Sequence, residues 1–183
     1  AHDSDLRRSQ PGPLNDNQSR RTASELTMDV TARRAQAEDL SIVVALAEAA
    51  ISELTPVRGG SIWSRYEARP EPLASTFDAQ IRDNNALVAV GSIDETIVGY
   101  AGGHLVELHD GSVMTALSDI YVLPGARGVG VGECLMEWIV DWSRTAGSIG
   151  IDSLALPGDR STKNFFESFG LVARAITVHR SLQ

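Results

Sequence analysis

A chain of 183 residues, 43% of them hydrophobic, carries enough apolar side chain for one full core, and a single domain is the expectation. It contains no apolar run of about eighteen residues, which argues against a transmembrane helix, and its formal net charge of −8 argues against non-specific nucleic-acid binding. One cysteine, Cys134, offers neither an internal disulfide nor a metal cluster. The polar N-terminus shows no apolar secretory stretch, so a cytoplasmic protein without a metal is expected.

Residues 1–27 hold two prolines, two arginine pairs and few apolar residues. They cannot cover a core and are expected to form a flexible tail, with the folded domain at 28–183. The tail's four basic residues (Arg7, Arg8, Arg20, Arg21) balance four acidic ones (Asp3, Asp5, Asp16, Glu25), so the whole −8 belongs to the domain. Val30 to Arg34 reads as a short strand. Glu38 to Leu54 has a wide apolar face at helical spacing. Thr55 to Pro72 is broken by prolines and a glycine pair and cannot be one regular helix, whereas Leu73 to Asn84 reads as a second helix. Ala86 to Ile93, Thr96 to Leu108 and Val113 to Leu123 form a meander, the last two joined by a turn at His109-Asp110-Gly111. Glu133 to Arg144 reads as a buried helix, Ile151 to Leu156 as a strand, and Ser161 to Phe169 as a short helix with Asp159 as N-cap and Gly170 as stop. Leu171 to Leu182 is expected to return as a final strand.

The junction of the third meander strand and the buried helix carries the chemistry. Pro124 to Gly132 is a turn with four glycines between a strand and a helix N-terminus, where backbone N–H groups without internal partners favour an anion. A dinucleotide fingerprint fails in both registers, because its last place falls on Glu133 or Leu135. A P-loop fails because Val131 stands where its lysine must be. Arg127-Gly128-Val129-Gly130-Val131-Gly132 does fit Q/R-x-x-G-x-G/A. With the Ile120-Tyr121-Val122-Leu123-Pro124 approach, this run resembles the pyrophosphate loop of the GNAT superfamily of N-acetyltransferases. Thr162 to Leu171 is similar to the second family motif, A-x-x-F-Y-x-x-x-G-F, and Ala37-Glu38-Asp39-Leu40 resembles the start of the family's first helix. The resemblance covers about residues 30–182. It implies an α/β (α+β) GNAT fold with a mixed, mostly antiparallel central sheet flanked by about four helices.

The resemblance further implies acetyl-CoA as co-substrate, with Arg127, Gly128, Val129, Gly130, Val131 and Gly132 around its pyrophosphate. Ile120 and Val122 would contact it through their backbone on a fourth strand opened by a bulge, and Asn164 and Phe166 would contact it from the second motif. Acetyl transfer needs a neutral amine, a donor for the thioester oxyanion and a proton for the leaving thiolate. Asp119, directly before Ile120, is the first candidate base, and Glu107 on the preceding strand the second. His104 and His109 are of the residue type suited to proton transfer, but a solvated role near a hairpin is the plainer reading. Two positions depart from the family pattern. Phe166 replaces the tyrosine that serves as acid, and Asp159 replaces an asparagine. The acceptor segment would be Val57 to Pro72, with Arg58, Trp63, Arg65, Tyr66 and Arg69, together with His179. Three arginines suit an anionic acceptor and the net acidity a cationic one. The expected partner is a small-molecule or peptide amine, with no nucleic acid and no membrane, and with a homodimer left open. The alternatives are a coenzyme A-binding sensor with little turnover and a transferase of longer acyl chains.

Overall fold

The computed structural model describes residues 28–182; the expected tail at 1–27 lies outside the described residues. Five strands form one sheet in the order β1 (Val30–Arg34), β2 (Ala86–Ile93), β3 (Thr96–Glu107), β4 (Val113–Val122), β5 (Ile151–Ser153). The first four are antiparallel neighbours, and β5 lies parallel to β4. The expected mixed, mostly antiparallel sheet is what forms. Five helices cover it: α1 (Leu40–Leu54), α2 (Gly60–Tyr66), α3 (Leu73–Arg82), α4 (Val131–Thr145) and α5 (Arg160–Ser168). The helix beyond the expected four is α2, a single short element between Pro56 and Pro70.

Alternation along the strands sorts the core into two layers. Val88, Val90, Tyr100 and Tyr121 point to one face and pack with Val43, Leu46, Ala47 and Ala50 of α1 and Leu73 and Phe77 of α3. Leu87, Ala89, Ala101 and Leu117 point to the other and pack with Leu135, Met136 and Ile139 of α4 and Phe166 of α5. The close approach of α4 depends on a missing side chain: a Cβ on Gly91 would lie 2.7 Å from Val131 Cγ1.

Two expectations fail at the C-terminal side. The strand expected over Ile151 to Leu156 stops at Ser153, and no strand forms over Leu171 to Leu182. Val172, Ile176, Val178 and Leu182 are 80–90% exposed. Alternation is only a local preference, and a strand needs a neighbour offering a row of free backbone groups. β5 pairs over three residues, and the final segment is tied to it by an Arg174–Asp152 ion pair rather than a ladder.

The entry to α1 is held by a charge. Asp39 is 5% exposed and accepts from Arg33 Nη1 at 2.6 Å, Arg33 Nη2 at 2.9 Å and the Gln36 N–H at 2.8 Å. The Arg33 hydrogen bonds, helped by that of Gln36, hold its carboxyl below the usual carboxylate range despite burial. A lowered folded-state value adds stability that is present above the ordinary carboxylate pKa and lost as pH falls through the folded value. Asp39→Ala should therefore cost about 1–2 kcal/mol at pH 7, the range for losing a helix-entry carboxylate. Scanning calorimetry should show a melting point about 3–6 °C lower. The gap between variant and parent should narrow below about pH 4.

Candidate active site

The bulge expected on the fourth strand is present. Gly102 faces Asp119 and Gly103 faces Leu117, so Ser118 is the extra residue on β4. β4 and β5 pair only from Thr115 to Leu117, opposite Ile151 to Ser153. Beyond that the two elements become opposite walls of a cleft of about 520 Å³, with Ser118 to Val122 on one side and Ser153, Leu154 and Leu156 on the other. Ile120 and Val122 thus lie where unpaired strand backbone meets the cleft. Their side chains pack on the α4–α5 face.

The glycine loop closes one end. Gly128 and Gly130 have φ of +77° and +104°, a region that L side chains avoid. A Cβ at Gly128 would meet nothing within 4 Å, so the loop has an open side. Gly130 is the N-cap of α4, and among the described residues no side-chain hydrogen bond caps that helix. Uncapped first-turn N–H groups beside an open loop fit an anionic group such as a pyrophosphate. Gly128 and Gly132 line the cleft, while Val131 is buried in the core and Val129 is 40% exposed.

Asp119 reaches the cleft, held by three donors. Arg69 Nη2 lies 2.5 Å from Oδ2, the Ser118 hydroxyl 2.9 Å from Oδ2, and the Tyr100 hydroxyl 3.3 Å from Oδ1. Arg69 stacks 4.0 Å over the Phe77 ring. The pair fits because residue 102 is glycine: a Cβ there would lie 3.0 Å from Asp119 Oδ2 and 3.1 Å from Arg69 Nη2. Burial, then the Asp119 charge, holds the Tyr100 phenol well above its ordinary pKa, so it stays a donor.

A second group of the same composition stands beside it. Tyr121, the cross-strand partner of Tyr100, donates to Glu53 Oε2 at 3.0 Å. Arg127 Nη2 donates to the same oxygen at 2.9 Å, and Arg127 Nε to the Val122 carbonyl at 2.8 Å. The Arg127 hydrogen bond holds the Glu53 carboxyl below its usual range. Burial, then the Glu53 hydrogen bond, raises the Tyr121 phenol.

Other candidates fall elsewhere. Glu107 is exposed at the far end of β3, opposite Val113, away from the cleft, and His104, His109 and His179 are exposed and do not line it. Asn164 is exposed and outside the cleft, while Phe166 is 6% exposed and forms part of its floor. Of the segment expected to hold the acceptor, Val57, Trp63 and Arg69 line the cleft; Arg58, Arg65 and Tyr66 are exposed and do not. Asp159 caps α5, accepting from the Thr162 N–H at 3.0 Å and from the hydroxyls of Ser161 and Thr162 at 2.7 Å. Among the described residues no group of three or more His, Cys, Asp or Glu is placed to hold a metal ion.

The profile of the acetyltransferase (GNAT) family matches residues 49–171, the stretch that holds the bulge, the loop and α5. The chain belongs to that family, and it is an acyltransferase. No curated protein matches it. Solved structures share the fold. A tetramutant of the BH1408 protein from Bacillus halodurans is 24% identical, with a TM-score of 0.70 over 82% of this chain and 99% of that one. The aminoglycoside N-acetyltransferase AAC(6')-Iy, in complex with CoA, is 16% identical, with a TM-score of 0.66 over 85% and 97%. An acetyltransferase from Trypanosoma brucei is 22% identical, with a TM-score of 0.59 over 84% and 100%.

Glu53, Tyr100 and Ser118 were not among the residues singled out in the sequence. Glu53 had a readable signal: it follows Ala50 by three, where the apolar stripe of α1 reaches its half-exposed end. The two ion pairs should separate under mutation. Arg69→Met strands a carboxylate that is 15% exposed and should cost about 3 kcal/mol, a melting-point drop of about 6–12 °C. Arg127→Met breaks a pair whose side chains are 45% and 37% exposed, and should cost at most about 1 kcal/mol. Thermal denaturation of both variants checks the contrast.

Proposed function

We propose that this GNAT protein transfers an acetyl group from acetyl-CoA to a primary amine of a small molecule or peptide. The observation that carries the reading is the bulge-opened cleft running from the uncapped N-terminus of α4 to Asp119. Acetyl-CoA supplies the activated thioester. The α4 end and the Gly128–Gly132 backbone hold its pyrophosphate, and the free β4 backbone at Ile120 and Val122 aligns the rest. Asp119 receives the proton of the attacking amine. A carboxylate offers about four lone-pair sites; Arg69 and the Ser118 hydroxyl, whose one proton is shared with the Gly102 carbonyl, meet Oδ2, and Tyr100 meets Oδ1, which leaves one site on Oδ1 for the amine.

The charge balance of the cleft favours a cationic acceptor. Its lining carries the carboxylates of Glu53, Asp119, Glu133 and Asp159 against the guanidiniums of Arg69 and Arg127. The arginines that suggested an anionic acceptor do not serve one: Arg69 is matched by Asp119, and Arg58 and Arg65 lie outside. Small-molecule acceptors also suit the aminoglycoside N-acetyltransferase that shares the fold. A second reading, a coenzyme A-binding module with little turnover, rests on Phe166, which has no proton to give.

Calorimetry with acetyl-CoA, followed by a thiol-release assay on an amine panel, separates the two. Binding with release is expected; binding without release on any amine favours the module. Gly130→Glu places a side chain and a charge at a position with φ +104° beside the loop. Its affinity for coenzyme A should fall at least tenfold, about 1.4 kcal/mol, and undiminished binding by the folded variant would remove the loop from the site.

Asp119→Asn should lower kcat by about 10²-fold while coenzyme A affinity holds. A parental kcat across the pH range would exclude Asp119 as proton acceptor. Phe166→Tyr should raise kcat if thiolate protonation limits turnover.

A further inference from the structure

Glu53 breaks two local rules. It lies in the last turn of α1, where the helix end is partly negative and a carboxylate is disfavoured, and it sits at the end of that helix's apolar stripe. Local rules are broken most often where function requires it. What offsets the cost is Arg127, the first residue of the glycine loop, folded back toward α1 instead of over the loop. This pair is far more exposed than Arg69–Asp119, so holding it together contributes at most about 1 kcal/mol. A pyrophosphate at the end of α4 offers the guanidinium a doubly charged, bidentate partner, a stronger contact than one carboxylate oxygen.

We propose that Glu53 holds the cationic end of the acceptor, and that Arg127 masks it until coenzyme A occupies the loop. This rests on the reading of the loop given above. With coenzyme A present Arg127 turns to the pyrophosphate, and Glu53 keeps only the Tyr121 hydroxyl on Oε2. The uncovered carboxylate faces a cleft already rich in negative charge. Tyr100 and Tyr121 are cross-strand partners, and each hydroxyl is bonded to one of the two carboxylates that line the cleft. An acceptor with two ammonium groups would therefore place the reacting one at Asp119 and the other at Glu53. Acceptor binding becomes conditional on the cofactor, without contact between the two ligands being needed.

The test is calorimetry with spermidine, a triamine whose ammonium groups are enough to reach both carboxylates, with and without unacetylated coenzyme A, so that no turnover occurs. The parent should bind spermidine at least tenfold more tightly when coenzyme A is present. Glu53→Gln should lose that gain. Arg127→Gln should bind spermidine without coenzyme A about as tightly as the parent does with it, and should show no further gain. A parent that binds coenzyme A with no change in spermidine affinity overturns the masking alone. A gain retained in Glu53→Gln does the same, as does an Arg127→Gln protein that binds spermidine no better than the free parent. A parent that binds no coenzyme A overturns the functional reading and this inference with it.

Discussion

Where β4 meets β3, Ser118 has no cross-strand partner, and its hydroxyl reaches the Gly102 carbonyl at 3.0 Å. A bulge bends its strand and increases the local twist. β4 therefore follows β5 for three residues and then leaves it. From that separation follow the cleft, the unpaired backbone at Ile120 and Val122, and the position of Asp119 beside the gap. A free strand edge is ordinarily an invitation to another chain. Here it faces a walled space, with Leu154 and Leu156 opposite, so the row of free backbone groups is offered to something of a particular width.

The bulge alone would not make a polar site, because the same face of the sheet carries the packing for α1 and α3. Two tyrosines on adjacent strands solve this by burying their rings in that core while their hydroxyls reach carboxylates at its margin. Each carboxylate is matched by an arginine, which limits the penalty of placing charge against apolar surface. The two pairs are not equivalent. Arg69–Asp119 is mostly shielded from solvent, so breaking it leaves a poorly compensated charge, and it ties the loop before α3 to the sheet. Arg127–Glu53 is wetter and correspondingly easier to rearrange.

The glycine loop, α4, the meander and the second motif were legible from sequence because each is specified locally. Helical periodicity, four glycines and a proline lie within one continuous stretch. What was not legible depends on distant partners. The end of β5 and the absence of a strand after Leu171 turn on which edge is available, which alternation does not report. Tyr121 could be placed on a strand, but its hydroxyl found Glu53, 68 residues earlier in the chain. Asp119 is singled out by its neighbour Ile120, whereas nothing in the sequence pairs it with Arg69, whose approach depends on the missing Cβ of Gly102.

Phe166 acquires a structural reason beside these tyrosines. It is buried with Leu135, Met136 and Ile139, and its ring lies 5.8 Å from that of Phe165. A hydroxyl at this place would need its own partner or carry the cost of an unsatisfied polar atom. The phenols that line the cleft come from β3 and β4 instead, and both have raised pKa values, so both carry their protons at neutral pH. Each phenol spends its one proton on a carboxylate, so the tyrosines of the cleft orient Asp119 and Glu53 and do not replace the hydroxyl that α5 lacks.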